Sequence, residues 1–239
     1  MNKVHFSLQG KGGVGKSYVA SLLAQYHLDR KLPVVCIDAD PVNSTLSGYK
    51  ALAAQRLDLM HGGSLIERNF DQMMEQIVST DSHFIVDSGA PTFLPLSNYL
   101  IENDAFRIMD EAGKKAVVHV VIAGGQALED TLLGLARLSE QLPLETELVV
   151  WLNEYFGLIS ADGKGFEQMK VYEDHRHRIT AIVRIAQQTS TTFGADVREM
   201  LERRLTFSEI ERSEHFGLMG RQRLVSVKRA IFEQLALVP

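Results

Sequence analysis

A single cysteine, Cys36, stands in 239 residues. That scarcity excludes an intrachain disulfide framework and any zinc or iron–sulfur centre assembled from several thiolates. No apolar run approaches the roughly 20 residues needed to span a bilayer, and no charged-then-apolar leader precedes the first expected strand. A reducing, cytoplasmic setting is therefore expected. Positive charge is not in excess: 25 Lys and Arg against 30 Asp and Glu leave a net charge of −5. This argues against a wholly basic nucleic-acid binder, while a local basic patch stays compatible. Internal repeats and low-complexity tracts are missing, which removes solenoids and linker arrays. Asp162-Gly163-Lys164-Gly165 lacks the twelve-position acidic pattern of a calcium loop and reads as a plain loop. His175 and His177 diverge at i and i+2 on a helix, so their run reads as solvated charge rather than metal ligands. What remains is an ordinary globular composition, enough for a single α/β domain over residues 1–239.

One stretch dominates that domain. Gly10-Lys11-Gly12-Gly13-Val14-Gly15-Lys16-Ser17 fits G-x-x-x-x-G-K-[ST], the phosphate-binding loop. A triphosphate needs several donors converging on its oxygens. Glycines let the backbone curl so that successive N–H groups point inward. Lys16 would place an ammonium near the β- and γ-phosphates. Ser17 would put a hydroxyl on Mg²⁺ and start a helix whose N-terminus favours anions. The context agrees. Val4 to Leu8 reads as a buried strand, and residues 17–30 read as a helix with Val19, Leu22, Leu23, Tyr26 and His27 on one face. The candidate nucleotide contacts are Gly10, Lys11, Gly12, Gly13, Val14, Gly15, Lys16, Ser17 and Tyr18. The bland alternative is a glycine-rich turn with no ligand.

Two further strands end in acids. Val34 to Ile37 leads into Asp38-Ala39-Asp40-Pro41, and His83 to Val86 leads into Asp87. Carboxylates at i and i+2 leave a strand end on one face, beside the phosphate loop if the sheet is parallel. That place suits a Mg²⁺-linked acid and one that orients water. The competing reading is a turn, since Asp before Pro commonly starts one. An apolar strand with a terminal Asp is the Walker B pattern, which makes Asp87 a second candidate for holding Mg²⁺ or its waters. The metal set is Ser17, Asp38 and Asp87.

The remainder supplies scaffold. Residues 46–54 read as a short helix, 57–60 as a short strand, and 69–78 as a helix with Phe70, Met73, Met74 and Ile77 inward. A helix is expected from near Leu94. Residues 115–123 form a central apolar strand in which His119 reads as a core histidine. A helix over 126–141, a strand over 147–152 ending at Asn153, and a last strand over 179–185 follow. Helical stretches then cover 194–205, 206–213 and 218–237. In the last of these, Leu224, Val227, Ile231 and Leu235 read as a docking face, with Arg221, Arg223, Lys228 and Arg229 as a basic solvent face. The fold class is α/β: a doubly wound, mostly parallel sheet of the P-loop type. No Asn-Lys-x-Asp run supports a GTPase, and no separate strong base is evident.

Lys11 directly follows the first glycine, giving Lys11-Gly12-Gly13-Val14-Gly15-Lys16-Ser17. This resembles the deviant Walker A box of the ParA/MinD ATPases. The resemblance implies that Lys11 reaches across a nucleotide-sandwich homodimer to the partner's phosphates. It implies a switch region at Asp38 to Asp40, with Asp40 positioning the attacking water and Asp38 near the Mg²⁺ shell. Asp87 is followed by Ser88-Gly89-Ala90-Pro91, where such ATPases carry a second switch and a Gly89 N–H would sense the γ-phosphate. Asn153 is the adenine candidate. The implied catalytic set is Lys11, Lys16 and Asp40, acting on ATP with Mg²⁺ and leaving ADP. Val42-Asn43-Ser44-Thr45 departs from the longer glycine-containing run of many ParA proteins.

Further runs extend the likeness. They include Cys36-Ile37-Asp38-Ala39-Asp40-Pro41, Val149-Val150-Trp151-Leu152-Asn153 and Gly163-Lys164-Gly165-Phe166. They are similar to the ParA/MinD-type ATPases encoded with the transfer genes of conjugative plasmids. That implies a slowly hydrolysing, ATP-dependent dimerisation switch with a protein partner in the conjugation machinery. MinD proteins end in a basic amphipathic membrane helix and ParA proteins use basic residues near this end to hold DNA; stable membrane association is not expected here. The alternatives are a partition ATPase that binds non-specific DNA, a nucleotide-sensing scaffold and a metabolic P-loop enzyme.

Overall fold

The computed structural model describes residues 1–61, 64–188 and 190–238. Its first strand, β1 (Asn2–Ser7), alternates: Val4 and Phe6 are fully buried on one face, and His5 and Ser7 are buried on the other. A strand buried on both faces belongs inside a parallel sheet covered on both sides. Six further strands join it: β2 (Val34–Ala39), β3 (Gln55–Arg56), β4 (His83–Ser88), β5 (Lys114–Ala123), β6 (Glu147–Asn153) and β7 (Ile179–Ile185). Among the described residues, the order across the sheet is β7-β6-β5-β1-β4-β2-β3. Every neighbouring pair is parallel. The order reverses around β1, so the crevice of this doubly wound sheet opens at the carboxyl end of β1, where ligands bind in such folds.

Helices cover both faces. On one lie α2 (Phe70–Ser79), α3 (Phe93–Glu102), α4 (Ala105–Glu111), α5 (Leu128–Gln141) and α6 (Lys170–His175). On the other lie α1 (Lys16–Asp29), α7 (Phe193–Glu202), α8 (Phe207–Ile210) and α9 (Leu218–Leu235). The docking face of α9 is realised, with Leu224, Val227, Ile231 and Leu235 all buried. Burying each such side chain contributes roughly 1.5–3 kcal/mol, whereas an exposed ion pair contributes about 0–1 kcal/mol. The apolar stripe therefore fixes the helix. The basic face is less free than its spacing implies. Arg223 pairs with Asp196 at 2.5 Å, Lys228 pairs with Asp29, and Arg221 donates to the carbonyls of Phe216 and Ser213.

Three short elements differ from the expected ones. Residues 46–54 form two 3₁₀ turns, Leu46–Gly48 and Lys50–Leu52, parted by Tyr49 in an extended conformation. The strand expected at 57–60 lies earlier, at β3, because the chain leaves the sheet edge to bury Leu59. Residues 206–213 form only one regular turn, α8, started by the mutual bonding of Thr206 and Glu209. Asp162 and Gly163, both at positive φ, form the tip of a small hairpin between Ser160–Ala161 and Lys164–Gly165.

On the face of the sheet that α1 covers, a chain of imidazoles is buried, running from β6 through β5 to β1. Trp151 Nε1–H donates to His119 Nδ1 at 2.9 Å, and His119 Nε2 meets His5 Nδ1 at 2.8 Å. An indole can only donate, so the proton of neutral His119 sits on Nε2 and that of neutral His5 on its own Nε2. The latter atom is buried without a hydrogen-bond partner among the described residues. His5, His27 and His83 each bring one nitrogen within 4.8 Å of the others. The proton order places an N–H rather than a lone pair on His5 there, which opposes metal ligation. Burial holds His5 well below the ordinary imidazole value, with His119 and His27 adding, and burial with Lys3 and His27 pushes His119 down to about 3. A depressed folded pKa means the native state is unpenalised above about pH 6.5 and loses stability as pH falls below it toward the folded pKa, about 3 for His119. Nitrogen NMR of the imidazoles should find His5 and His119 neutral at pH 5. A cationic signal from either at that pH would contradict the buried relay.

Candidate functional site

The loop between β1 and α1 takes its shape from two glycines. Gly13 has φ +75° and Gly15 φ +102°, the left-handed region that other residues avoid. Gly15 is the N-cap of α1 and has no capping side chain. The first N–H groups of that helix are thus left for an anion. Crowding adds a second demand: a Cβ on Gly15 would lie 2.6 Å from Asn153 Nδ2. Lys16 is 7% exposed, and its ammonium donates to the Lys11 carbonyl at 2.8 Å. Burial lowers its pKa, and the carboxylates of Asp87 and Asp40 oppose that shift.

The three acids do arrive beside the loop, in different states. Asp38 and Asp87 are register partners on β2 and β4, and Asp87 also faces Ser7 of β1. Asp38 is spent on its own chain: Oδ1 accepts Asp40 N–H at 3.1 Å and Oδ2 accepts Ser47 N–H at 2.8 Å. Asp40 Oδ1 accepts Val42 N–H at 2.9 Å and Asn43 N–H at 3.1 Å, so the turn reading of Asp-Pro holds alongside its place at the cleft. Gly89 makes room for Asp40, because a Cβ there would overlap the carboxylate. Asp87 is fully buried, and neither oxygen has a hydrogen-bond partner among the described residues. Burial pushes its carboxyl up to about 7, with Asp38 and Asp40 adding. The Ser17 hydroxyl, at the margin of hydrogen-bonding geometry, and Lys16 pull it down. Two buried, unpartnered carboxylate oxygens beside a serine hydroxyl fit a divalent cation or its waters.

Gly13, Lys16, Ser17, Asp40 and Asn43 line a cavity of about 440 Å³. It adjoins a second of about 350 Å³, and the two share Gly15, Tyr18 and Leu201. The second is walled by Tyr155, Phe156, Val197 and Ile231. A cationic half joined to an aromatic and aliphatic half suits a phosphorylated ligand with a flat, apolar end. Asn153 stands on the wall of the second cavity with both side-chain atoms engaged. Nδ2 donates to the Val14 carbonyl at 2.9 Å, and Oδ1 accepts Tyr155 N–H at 3.2 Å. Tyr18 contributes to both cavities, and its hydroxyl is buried with no partner among the described residues.

Lys11 does not line its own cleft. It is 43% exposed and pairs with Asp130 Oδ2 at 2.7 Å, on the first turn of α5. Sequence reasoning missed Asp130, because acids in a first helical turn are ordinary. It also missed Gln9, whose only cue in the sequence is a polar residue directly after an apolar strand.

The chain matches the model of the CobQ/CobB/MinD/ParA nucleotide-binding domain over residues 6–236. It is 47% identical to an Escherichia coli relative, Protein TraL, over 235 residues covering 98% of each chain. Among solved structures it is similar to the MinD cell division protein of Aquifex aeolicus, with a TM-score of 0.54, 15% identity and 98% of each chain covered. It is also similar to a Borrelia burgdorferi protein described as a plasmid partition protein and solved bound to AMPPNP, with a TM-score of 0.51, 12% identity and 99% of each chain covered. At such identities the structures speak for the fold, and the sequence relationships for the family. Phosphate loop, parallel sheet and near full-length match agree: the chain belongs to the CobQ/CobB/MinD/ParA nucleotide-binding family.

Proposed function

We propose that the chain, acting as one unit over residues 1–239, is a slow, Mg²⁺-dependent ATPase that dimerises on ATP. One observation carries this reading: Lys16 and an uncapped helix N-terminus meet at one strand-end cleft, and the unpartnered oxygens of Asp87 are buried behind Lys16 and Ser17. Lys16 and the loop amides hold the phosphates, and the apolar cavity beside Asn153 takes the base. Ser17 and Asp87 would hold Mg²⁺, with Asp38 behind them, and the ion would supply charge neutralisation at the phosphates. Asp40 orients the attacking water, and Gly89 brings the second switch against it. Phosphoryl transfer needs positioning and charge more than covalent chemistry. Turnover is slow because, among the described residues, no separate strong base lines the cleft.

Lys11 acts on the phosphates of the other subunit. Its pair with Asp130 is exposed and so is worth about 0–1 kcal/mol, which makes leaving it inexpensive. By likeness to the TraL relatives and the transfer-gene ATPases, the switch serves plasmid conjugative transfer in the cytoplasm, with a protein partner. Bulk DNA binding is less favoured, because three of the basic side chains of α9 are engaged within the chain. Among the described residues, no helix is long and apolar enough to cross a membrane.

Light-scattering mass with ADP, then with ATP and Mg²⁺, tests the reading in wild type and Lys11→Ala. The expected result is a doubling of mass with ATP in wild type alone. A mass that ignores nucleotide although ATP binds would remove the switch and leave the scaffold or metabolic-enzyme alternatives.

A further inference from the structure

Gln9 lies just before the phosphate loop, is 1% exposed, and uses both ends of its side-chain amide. Oε1 accepts Gly10 N–H at 2.8 Å. Nε2 donates to the carbonyls of Val121 at 3.2 Å and Thr131 at 3.1 Å. One side chain thus ties the first amide of the loop to the end of β5 and to α5. Helix α5 is shaped to receive it. Gly134 is buried in its middle, and a Cβ there would overlap Gln9 Oε1, Cδ and Nε2. A glycine inside a helix is destabilising relative to alanine, and α5 carries that cost where Gln9 enters. Thr131, one turn earlier, is fully buried and accepts Ala123 N–H at 3.3 Å. The strip of α5 facing the loop is therefore small and polar, in a helix otherwise anchored by Leu128, Leu135 and Leu138.

We propose that Gln9 is a positioning residue that fixes the Gly10–Gly13 half of the loop against α5, and so sets where Lys11 is presented. The inference rests on the nucleotide-switch reading above. The two halves of the loop are held separately. Gly15 to Ser17 are secured by α1 itself and by Asn153 on the Val14 carbonyl. Gly10 to Gly13 are exposed. Besides Gln9, their ties are Lys16 on the Lys11 carbonyl and the exposed Lys11–Asp130 pair. Both of these ties involve groups that the bound phosphates and the partner subunit would compete for. Gln9 is the anchor on this half that nucleotide does not contest. Loss of its hydrogen bonds should impair what depends on Lys11 more than what depends on Lys16.

Two substitutions separate this role from packing. Gln9→Met keeps length and volume and removes the three hydrogen bonds. Gly134→Ala leaves the loop sequence intact and displaces Gln9 from the other side. For each, three quantities are measured: affinity for a fluorescent ADP with Mg²⁺, the protein concentration for half-dimerisation with ATP, and amide exchange across Gly10–Ser17. The expected result in both variants is ADP affinity within about threefold of wild type and a dimerisation midpoint raised about tenfold or more, the equivalent of 1.4 kcal/mol. Exchange should quicken at Gly10–Gly13 and stay unchanged at Lys16 and Ser17. Wild-type behaviour of both variants would overturn the proposal. So would a proportionate fall of ADP affinity, dimerisation and melting temperature, which marks a packing residue only. The exchange readout does not need a dimer. If wild type binds nucleotide without dimerising, the switch reading fails, while unequal exchange in the two halves still decides the role of Gln9.

Discussion

Without ligand at pH 8, Asp87→Asn should melt about 5–12 °C above wild type, although it removes a residue at the heart of the site. The reason is the buried carboxylate, whose oxygens have no well-formed hydrogen bond among the described residues. Burial pushes its folded pKa up to about 7, against an ordinary carboxyl value of 3.8. Below about pH 4 both states hold the proton and nothing is lost. From there to about pH 7 the unfolded chain gives it up while the folded chain keeps it, so stability falls as pH rises, by about 1.4 kcal/mol per unit. Above pH 7 the full penalty, a few kcal/mol, is in force. Asparagine removes the charge and hence the penalty.

The same substitution should abolish the stabilisation that Mg²⁺ with ADP gives wild type, and lower turnover by about 10²-fold or more. Wild-type binding of Mg²⁺ with nucleotide should release a proton near pH 7, visible as buffer-dependent binding heat. Scanning calorimetry with and without Mg²⁺-ADP checks both halves. A variant that melts at or below wild type at pH 8 would show that Asp87 is not held under strain. One still stabilised by Mg²⁺ would place the metal elsewhere.

Lys16→Met should lower ATP affinity by about 10²–10³-fold, equivalent to roughly 3–4 kcal/mol, with little change in melting temperature. Lys16 is 7% exposed, its pKa is lowered by burial, and among the described residues its ammonium makes one hydrogen bond, to the Lys11 carbonyl. An apolar side chain of similar length replaces such a group at small cost, because the desolvation penalty of the charge disappears with it. A phosphate in the cleft meets that ammonium already stripped of water, which makes the contact strong and its loss large. Isothermal titration of ATP against both proteins measures the difference. Affinity within threefold of wild type would detach Lys16 from the phosphates.

The loop, the strand and helix around it, the acids at two strand ends and the class of fold are all legible in the residues alone. Each of these rests on local chemistry. Glycine spacing at 10, 12, 13 and 15, apolar periodicity before and after, and an Asp closing an apolar run are readable without knowing what lies opposite. The docked face of α9 was legible for the same reason, since Leu224, Val227, Ile231 and Leu235 repeat along one helix. Where local signals were thin, at 46–60, the expected helix and strand gave way to 3₁₀ turns and an earlier edge pair.

Which acid is left unsatisfied emerged from the packed fold. Asp38 and Asp87 look alike in sequence, yet two backbone N–H groups from the β2 loop satisfy the first, and burial beneath the phosphate loop leaves the second unpaired. It also decided that Lys11 rests on Asp130, 119 positions away, that Gln9 crosses to a glycine in α5, and that Asn153 grips the loop it lines. These are contacts between segments far apart in the chain. Their energies come from burial and from donors meeting acceptors across packed elements, and no residue announces in its own neighbourhood which distant partner will satisfy it.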